Sequence, residues 1–361
     1  MAPAEAINVL TVGAVSEDLS PSGAPLPAMQ TELTADDGAA PQFTSARGPG
    51  WAGALKPELN MPGGRSPVRI VPAGADLTVS SARNGRHGLV CASAGPGATR
   101  RRGVGTSHAA ALTTRLALQA ASALTAPEGP YAGQELGRRP LALLTRALLV
   151  NASAWPDNRQ VFLDEAVGRG HVHHGHQKKD VAKIWGFGQV VPLRAVESPA
   201  TGATFVAHGL VRNGRAQVFS VPLPPSLAGE RVGRDLRVTV VWNSPVNPVS
   251  AAYRQAKLEV QADNGGGTQD KEWALGMKSD ALDLEMVGKG TVWSHRLRPK
   301  RQTTTDFSGD AVMRIRVQGT GTVSRDEDIP FAIAVSYAVE VGTDLDILDE
   351  LRNPIRGRTR V

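Results

Sequence analysis

One cysteine, Cys91, stands in 361 residues, so no disulfide can form within the chain and no multi-cysteine metal site can be built from it. Set between Val90 and Ala92, it reads as a small buried apolar residue. Aromatic residues are scarce, at 4%, which leaves valine, leucine, alanine and isoleucine to fill the interior. No run approaches the ~18 apolar residues of a membrane span. The opening MAPAEAINVL lacks the basic start and apolar middle of a secretory leader. These absences favour a cytoplasmic location and no membrane partner. The net charge of +6 is scattered, with no aromatic platform and no nucleic-acid motif, so no nucleic-acid partner is expected.

What is present is 41% apolar residues over a length sufficient for two domains with sizeable cores. Residues 7–15 read as a buried strand interrupted by Gly13, and 16–65 as a loop-rich stretch carrying seven prolines. Alternation over 67–80 predicts one or two strands. Glycine and arginine dominate 82–104, which ends in Arg100-Arg101-Arg102. Helices are expected over about 106–123 and from Pro140, a favourable first-turn residue, to Val150. Beyond 197 the segments 218–224, 236–242, 256–261, 311–319 and 330–341 are strand-like, with no convincing long helix between them. Regularly spaced strands of this kind predict a β-sandwich.

The stretch Gly103-Val104-Gly105-Thr106-Ser107-His108-Ala109-Ala110-Ala111-Leu112 brings a glycine-bearing turn to a hydroxyl residue and then to a helix-forming run. A helix start exposes unpaired N–H groups and the positive end of the macrodipole, a suitable seat for a serine nucleophile and its oxyanion. On that window alone, Thr106 or Ser107 as a simple N-cap is the better reading.

Three further segments shift the balance. Phe43-Thr44-Ser45-Ala46-Arg47-Gly48-Pro49 is followed by Lys56-Pro57-Glu58-Leu59-Asn60-Met61-Pro62-Gly63-Gly64, and Ile7-Asn8-Val9-Leu10-Thr11-Val12-Gly13-Ala14-Val15 precedes both. Taken in order with Gly105-Thr106-Ser107-His108-Ala109, the chain resembles the subtilisin-like serine peptidases, or subtilases. Those enzymes carry "vitVGAv", "fSsrGP", "KPdvvaPGg" and "GTSxAxP" in the same succession. Ala111 stands where the family usually has proline. Gly186-Phe187-Gly188-Gln189-Val190 is similar to the segment that closes many subtilase domains.

The resemblance implies an α/β fold: a partial doubly wound parallel-sheet subtilisin-like domain over 1–196, with a buried serine helix, then an all-β, jelly-roll-like sandwich over 197–361. It implies that Ser107 is the nucleophile of a serine endopeptidase acting through an acyl-enzyme, and that Gly105 and Thr106 shape the turn and the oxyanion site. A peptide or protein is the implied substrate; no cofactor and no metal are expected. The family's aspartate, histidine and oxyanion asparagine precede the "VGAv" strand, and none is found here, since His87 lies outside any "HGT" setting. The chain alone is therefore expected to be inactive, with an exposed edge at strand 7–15, poor solubility, and good behaviour only in a fragment beginning near 197. The implied partners are the missing N-terminal half or an ATPase, as in cytoplasmic subtilases linked to phage defence. The alternative is an inactive subtilase fragment serving as a binding or structural β-sandwich module.

Other constellations carry less. His171, His173, His174 and His176 crowd together without zinc-ligand spacing, and the glycines around them predict a surface loop. Gly95-Pro96-Gly97 lacks the Lys-Ser/Thr of a phosphate loop. Asn151-Ala152-Ser153 is a glycosylation sequon inside an expected helix, and Asp326-Glu327-Asp328 reads as a solvated acidic turn.

Overall fold

A computed structural model describes residues 3–18, 30–31, 40–42, 44–74, 76–81, 87–94, 97, 99–156, 174–227, 233–250, 253–262, 277–279, 284–299, 312–339 and 347–355. The chain divides into two compact units, Met1–Leu118 with Ser153–Val190, and Gln119–Ala152 with Val191–Val361.

The first unit holds the parallel part of a doubly wound α/β sheet. Strand β1 (Val12–Val15) runs parallel to β3 (Leu59–Pro62), which runs parallel to β9 (Gln189–Val190), with β8 (Ser153–Ala154) antiparallel at the end. All four residues of β3 are buried, as expected of a strand covered on both faces. Helix α3 (His174–Trp185) supplies Val181 and Trp185 to a core with Val15, against which Trp155 and Ile184 pack. This helix is a correction to the loop expected around the histidines, because Gly175 lies inside it. Asn60 Nδ2 donates to Ile184 O and Trp185 O, satisfying carbonyls at the end of α3 that no helix turn can reach. Gly186 (φ +56°) then ends the helix in the left-handed region, and a Cβ there would meet Pro57 O at 2.2 Å.

Ahead of β3, Lys56 and Glu58 form a buried ion pair at 2.5 Å. Lys56 Nζ also donates to Val9 O, and Glu58 Oε2 accepts from Thr11 N–H, so the pair fixes residues 9–11 beside the sheet. The edge of β1 is not bare, contrary to expectation. Gln42 N–H donates to Ala14 O, Ser16 N–H to Ala40 O, and Ala14 N–H to Ser45 Oγ. Ala40, Gln42 and Ser45 thus occupy hydrogen-bonding positions a neighbouring strand would take. The expected strand itself is shorter, β1 starting only at Val12. Two small antiparallel sheets complete the unit: β2 (Gln30–Thr31), β4 (Val68–Ala73) and β5 (Asp76–Ser81), and the hairpin of β6 (Leu89–Ala92) with β7 (Arg100–Gly103).

Helix α1 (Thr106–Thr125) follows that hairpin. Contrary to the expectation of a buried helix, only one stripe is covered, Ala109, Thr113, Leu116, Ala120 and Leu124, while Ser107, Ala110, Ala111 and Arg115 are exposed. The spacing of that stripe is the period of an amphipathic helix.

The second unit is an antiparallel sandwich. One sheet orders β10 (Gly202–Arg212), β17 (Asp328–Val339), β12 (Arg234–Trp242), β15 (Val292–Pro299) and β14 (Met277–Ser279). The other orders β11 (Ala216–Pro222), β16 (Val312–Gly321) and β13 (Ala256–Ala262). Strand β17 shows the logic. Ile329, Phe331, Ile333, Val335, Tyr337 and Val339 alternate into the shared core with Trp242, Leu236 and Val317. Tyr337 OH crosses to Pro222 O, and Trp242 Nε1 to Ala256 O. The intervening Ala332 and Ala334 are buried too, because helix α2 (Arg138–Asn151) packs on the sheet's other face. Every residue of α2 from Leu143 to Asn151 is buried. Asn151 Nδ2 faces Arg237 O, Thr239 Oγ1 and Ala334 O, and Arg237 Nη1 donates to Asn151 O. The sequon at Asn151 is therefore closed, and a fragment beginning at 197 would uncover the face that α2 protects. Helices α4 (Pro192–Val196), α5 (Leu284–Val287) and α6 (Ile347–Ile355) are short.

Two outcomes follow for this unit. Asn151→Ala should lower stability by about 1–3 kcal/mol, read as a drop in the urea midpoint, because buried backbone acceptors lose their donor. His295 is buried against Trp293, with ring centroids 4.2 Å apart. Burial disfavours its charged form and pushes its pKa from 6.5 down to about 4. Between those values the unfolded chain takes up a proton that the folded one refuses. Stability should therefore be full above 6.5 and decline by up to about 3 kcal/mol as pH falls to 4. His295→Gln should flatten that decline in melts followed against pH.

Candidate functional site

The site is assembled by glycines meeting at one place. Strand β3 ends in Pro62, and Gly63 N–H donates to Val15 O while Gly64 N–H donates to Glu17 O. Buried Gln42 donates through Nε2 to both Gly63 O and Gly64 O. Gly105 N–H then bonds Gly63 O at 2.8 Å, which brings the turn before α1 onto the end of β3. The approach leaves no room for side chains. A Cβ on Gly63 would lie 2.5 Å from Ala14 Cβ and 3.1 Å from Gly105 O, and one on Gly64 (φ +87°) 2.7 Å from Gly103 O. Asp18 ties the same region together, its Oδ1 accepting from Arg65 N–H at 2.7 Å and Gly88 N–H at 3.0 Å. Neither Gln42 nor Asp18 was legible as a site residue, since single polar residues in a proline-rich loop carry no pattern.

Gly105 has φ +146°, a region in which residues with a Cβ are strained, yet the space around its missing Cβ is open. Its constraint is conformational. His108 N–H returns to Gly105 O at 3.1 Å, closing the first turn of α1. Thr106 is the first helical residue and half-buried; Ser107 is the second and exposed. The three residues expected at the turn thus stand together at the N-terminus of a 20-residue helix, where unpaired N–H groups and the dipole favour an anion. His108 turns away from this end. Its Nδ1 lies 3.4 Å from Cys91 Sγ, and its ring sits over Gly103, where a Cβ would come within 2.3 Å of Nε2. Cys91 is accordingly half-exposed rather than buried, because the two-stranded hairpin leaves that face uncovered. His87 is buried.

The family model described as the Subtilase family matches residues 1–187. The chain belongs to the subtilase family. The match ends at the Gly186-Phe187 turn, so the hydrolase-type fold rests on the first half of the chain and the strands of the sandwich lie beyond it. No curated protein sequence matches the chain. Among solved structures, a cyanophage Pam1 capsid asymmetric unit is 14% identical with a TM-score of 0.22, over 40% of this chain and 90% of that one. An Israel acute paralysis virus structure is 10% identical with a TM-score of 0.19, over 39% of this chain and 74% of that one. At such scores the likeness says nothing of function.

Among the described residues of this subtilase chain, no three His, Cys, Asp or Glu side chains are placed to hold a metal ion. His171 and His173 lie outside the described residues, as do the side chains of His174 and His176. No described helix is long and apolar enough to cross a membrane.

The glycine junction makes two contrasting substitutions informative. Gly63→Ala, which meets backbone and Ala14, should destabilise the first unit as a whole. Gly105→Val should cost about 1–3 kcal/mol locally through its backbone angle, with the melting of the second unit unchanged in differential scanning calorimetry.

Proposed function

We propose that this chain carries the nucleophile half of a serine endopeptidase centre, with Ser107 attacking a peptide carbonyl to form an acyl-enzyme. The observation that carries the reading is the exposure of Ser107 in the first turn of α1, behind a glycine turn anchored to the end of β3. There the Ser107 backbone N–H is available to the developing oxyanion, and the helix dipole adds to its stabilisation. Gly105 and Thr106 set the direction of that N–H. The activating histidine, its aspartate and the asparagine donor come, in this reading, from a segment outside the described residues. Two facts support that: His87 is buried, and His108 is engaged with Cys91. An unassisted serine hydroxyl is a weak nucleophile, because nothing accepts its proton as the carbonyl is attacked.

The chain alone should therefore show almost no peptidase turnover. Adding a subtilase-type segment that bears the three missing groups should produce cleavage, and Ser107→Ala in the reconstituted protein should lower it on the order of 10⁶-fold. A fluorophosphonate should label Ser107 only in the reconstituted form. Full cleavage by the reconstituted Ser107→Ala protein would refute the assignment, and reconstitution that stays inactive would favour a binding or structural role.

A further inference from the structure

From His87 to Pro127 the chain contains no aspartate and no glutamate, but it contains Arg100, Arg101, Arg102 and Arg115. The first three lie consecutively on β7, and the fold brings Arg115 of α1 to the same groove as Arg102. Arg100, Arg101 and Arg115 are exposed. Among the described residues, no carboxylate pairs with any of the four. Asp18, which reaches the hairpin at Gly88, is taken up by the amides of Arg65 and Gly88.

Between the hairpin and α1 runs an open groove of about 420 Å³. Arg102 and Arg115 line it, Val90 and Leu112 give it apolar wall, and Cys91 and His108 also belong to its lining. His108, on the first turn of α1, lines the groove together with Ala111, one turn further along the same face. Arg102 is already held in place, donating through Nη1 to Gly88 O at 2.9 Å. Uncompensated guanidiniums beside apolar wall suit carboxylates interleaved with aliphatic side chains. The groove offers no aromatic ring on which a base could stack, which argues against nucleic acid.

We infer that this groove binds an acidic peptide segment, seating its Asp or Glu side chains on Arg102 and Arg115. This binding does not depend on the peptidase reading. Occupancy is measurable without turnover, because Cys91 is the sole cysteine and lines the groove.

The test uses the full chain and a dye-labelled peptide of alternating Glu and Leu, with Gln–Leu and Lys–Leu peptides and an oligothymidylate as comparators. Anisotropy should show the acidic peptide binding about tenfold tighter than the neutral one at low salt, with the gap closing as salt rises. Saturation should slow iodoacetamide alkylation of Cys91. Arg102→Gln with Arg115→Gln should weaken binding about tenfold. Exposed Arg115→Gln alone, which disturbs no described bond, should weaken it at least about twofold. Equal affinity for the Gln–Leu peptide, no protection of Cys91, or no change in the variants would overturn the inference. Tighter binding of the oligothymidylate with protection of Cys91 would also overturn it, in favour of nucleic acid. If Ser107 is labelled on reconstitution while acidic peptides bind no better, the groove assignment fails alone. If acidic peptides bind while Ser107 is never labelled, the peptidase reading fails alone.

Discussion

The hydrogen bond from Gly105 N–H to Gly63 O joins two chain segments that are 42 positions apart, and the candidate site depends on it. It can form only where glycine follows β3, because a side chain at 63 would strike Ala14 and the Gly105 carbonyl. It is useful only because Gly105 adopts a backbone angle that lets α1 begin at once, with Ser107 in the first turn. Gln42 satisfies the remaining carbonyl capacity of Gly63 and Gly64, so a densely packed turn leaves few buried polar groups unpaired. The order of causes runs from glycine, to close approach, to helix start, to an exposed hydroxyl at the positive end of a dipole.

The second unit solves a different problem. A sheet with apolar residues on both faces needs two covers, and the alanines of β17 show which cover goes where. Large side chains alternate toward the facing sheet, while Ala332 and Ala334 leave room for α2. A buried amide, Asn151, fixes the helix on that face through three acceptors on β12 and β17. The result is a sandwich that takes its outer layer from residues 119–152, ahead of the segment that reads as subtilase-closing in the sequence.

Much of this was legible because the signals were local. The run after Ser107 has helix-forming composition, Pro140 lies in the first turn of a leucine-rich helix, alternation marked β4 and β5, and strand-like segments marked β11, β12, β13, β16 and β17. What escaped reading was fixed by distant partners. Helix α3 begins in a polar, glycine-bearing stretch, and its reason for being helical is the burial of Val181 and Trp185 against Val15. Strand β10 contains two glycines and β15 mixes Trp293, Ser294 and His295, so neither shows clean alternation. The protection of β1 by Ala40, Gln42 and Ser45, the half-exposure of Cys91 and the roles of Gln42 and Asp18 all come from contacts across many residues. No periodicity encodes those.

The central claim is that the turn before Ser107 is preformed by its bond to the end of β3. Amide hydrogen exchange at Gly105 tests it most directly. The account predicts that this amide exchanges as slowly as the buried amides of β3, and that Gly63→Ala releases it. Exchange at Gly105 as fast as at the exposed residues of the β6–β7 hairpin would contradict the account, because Ser107 would then lack a fixed seat.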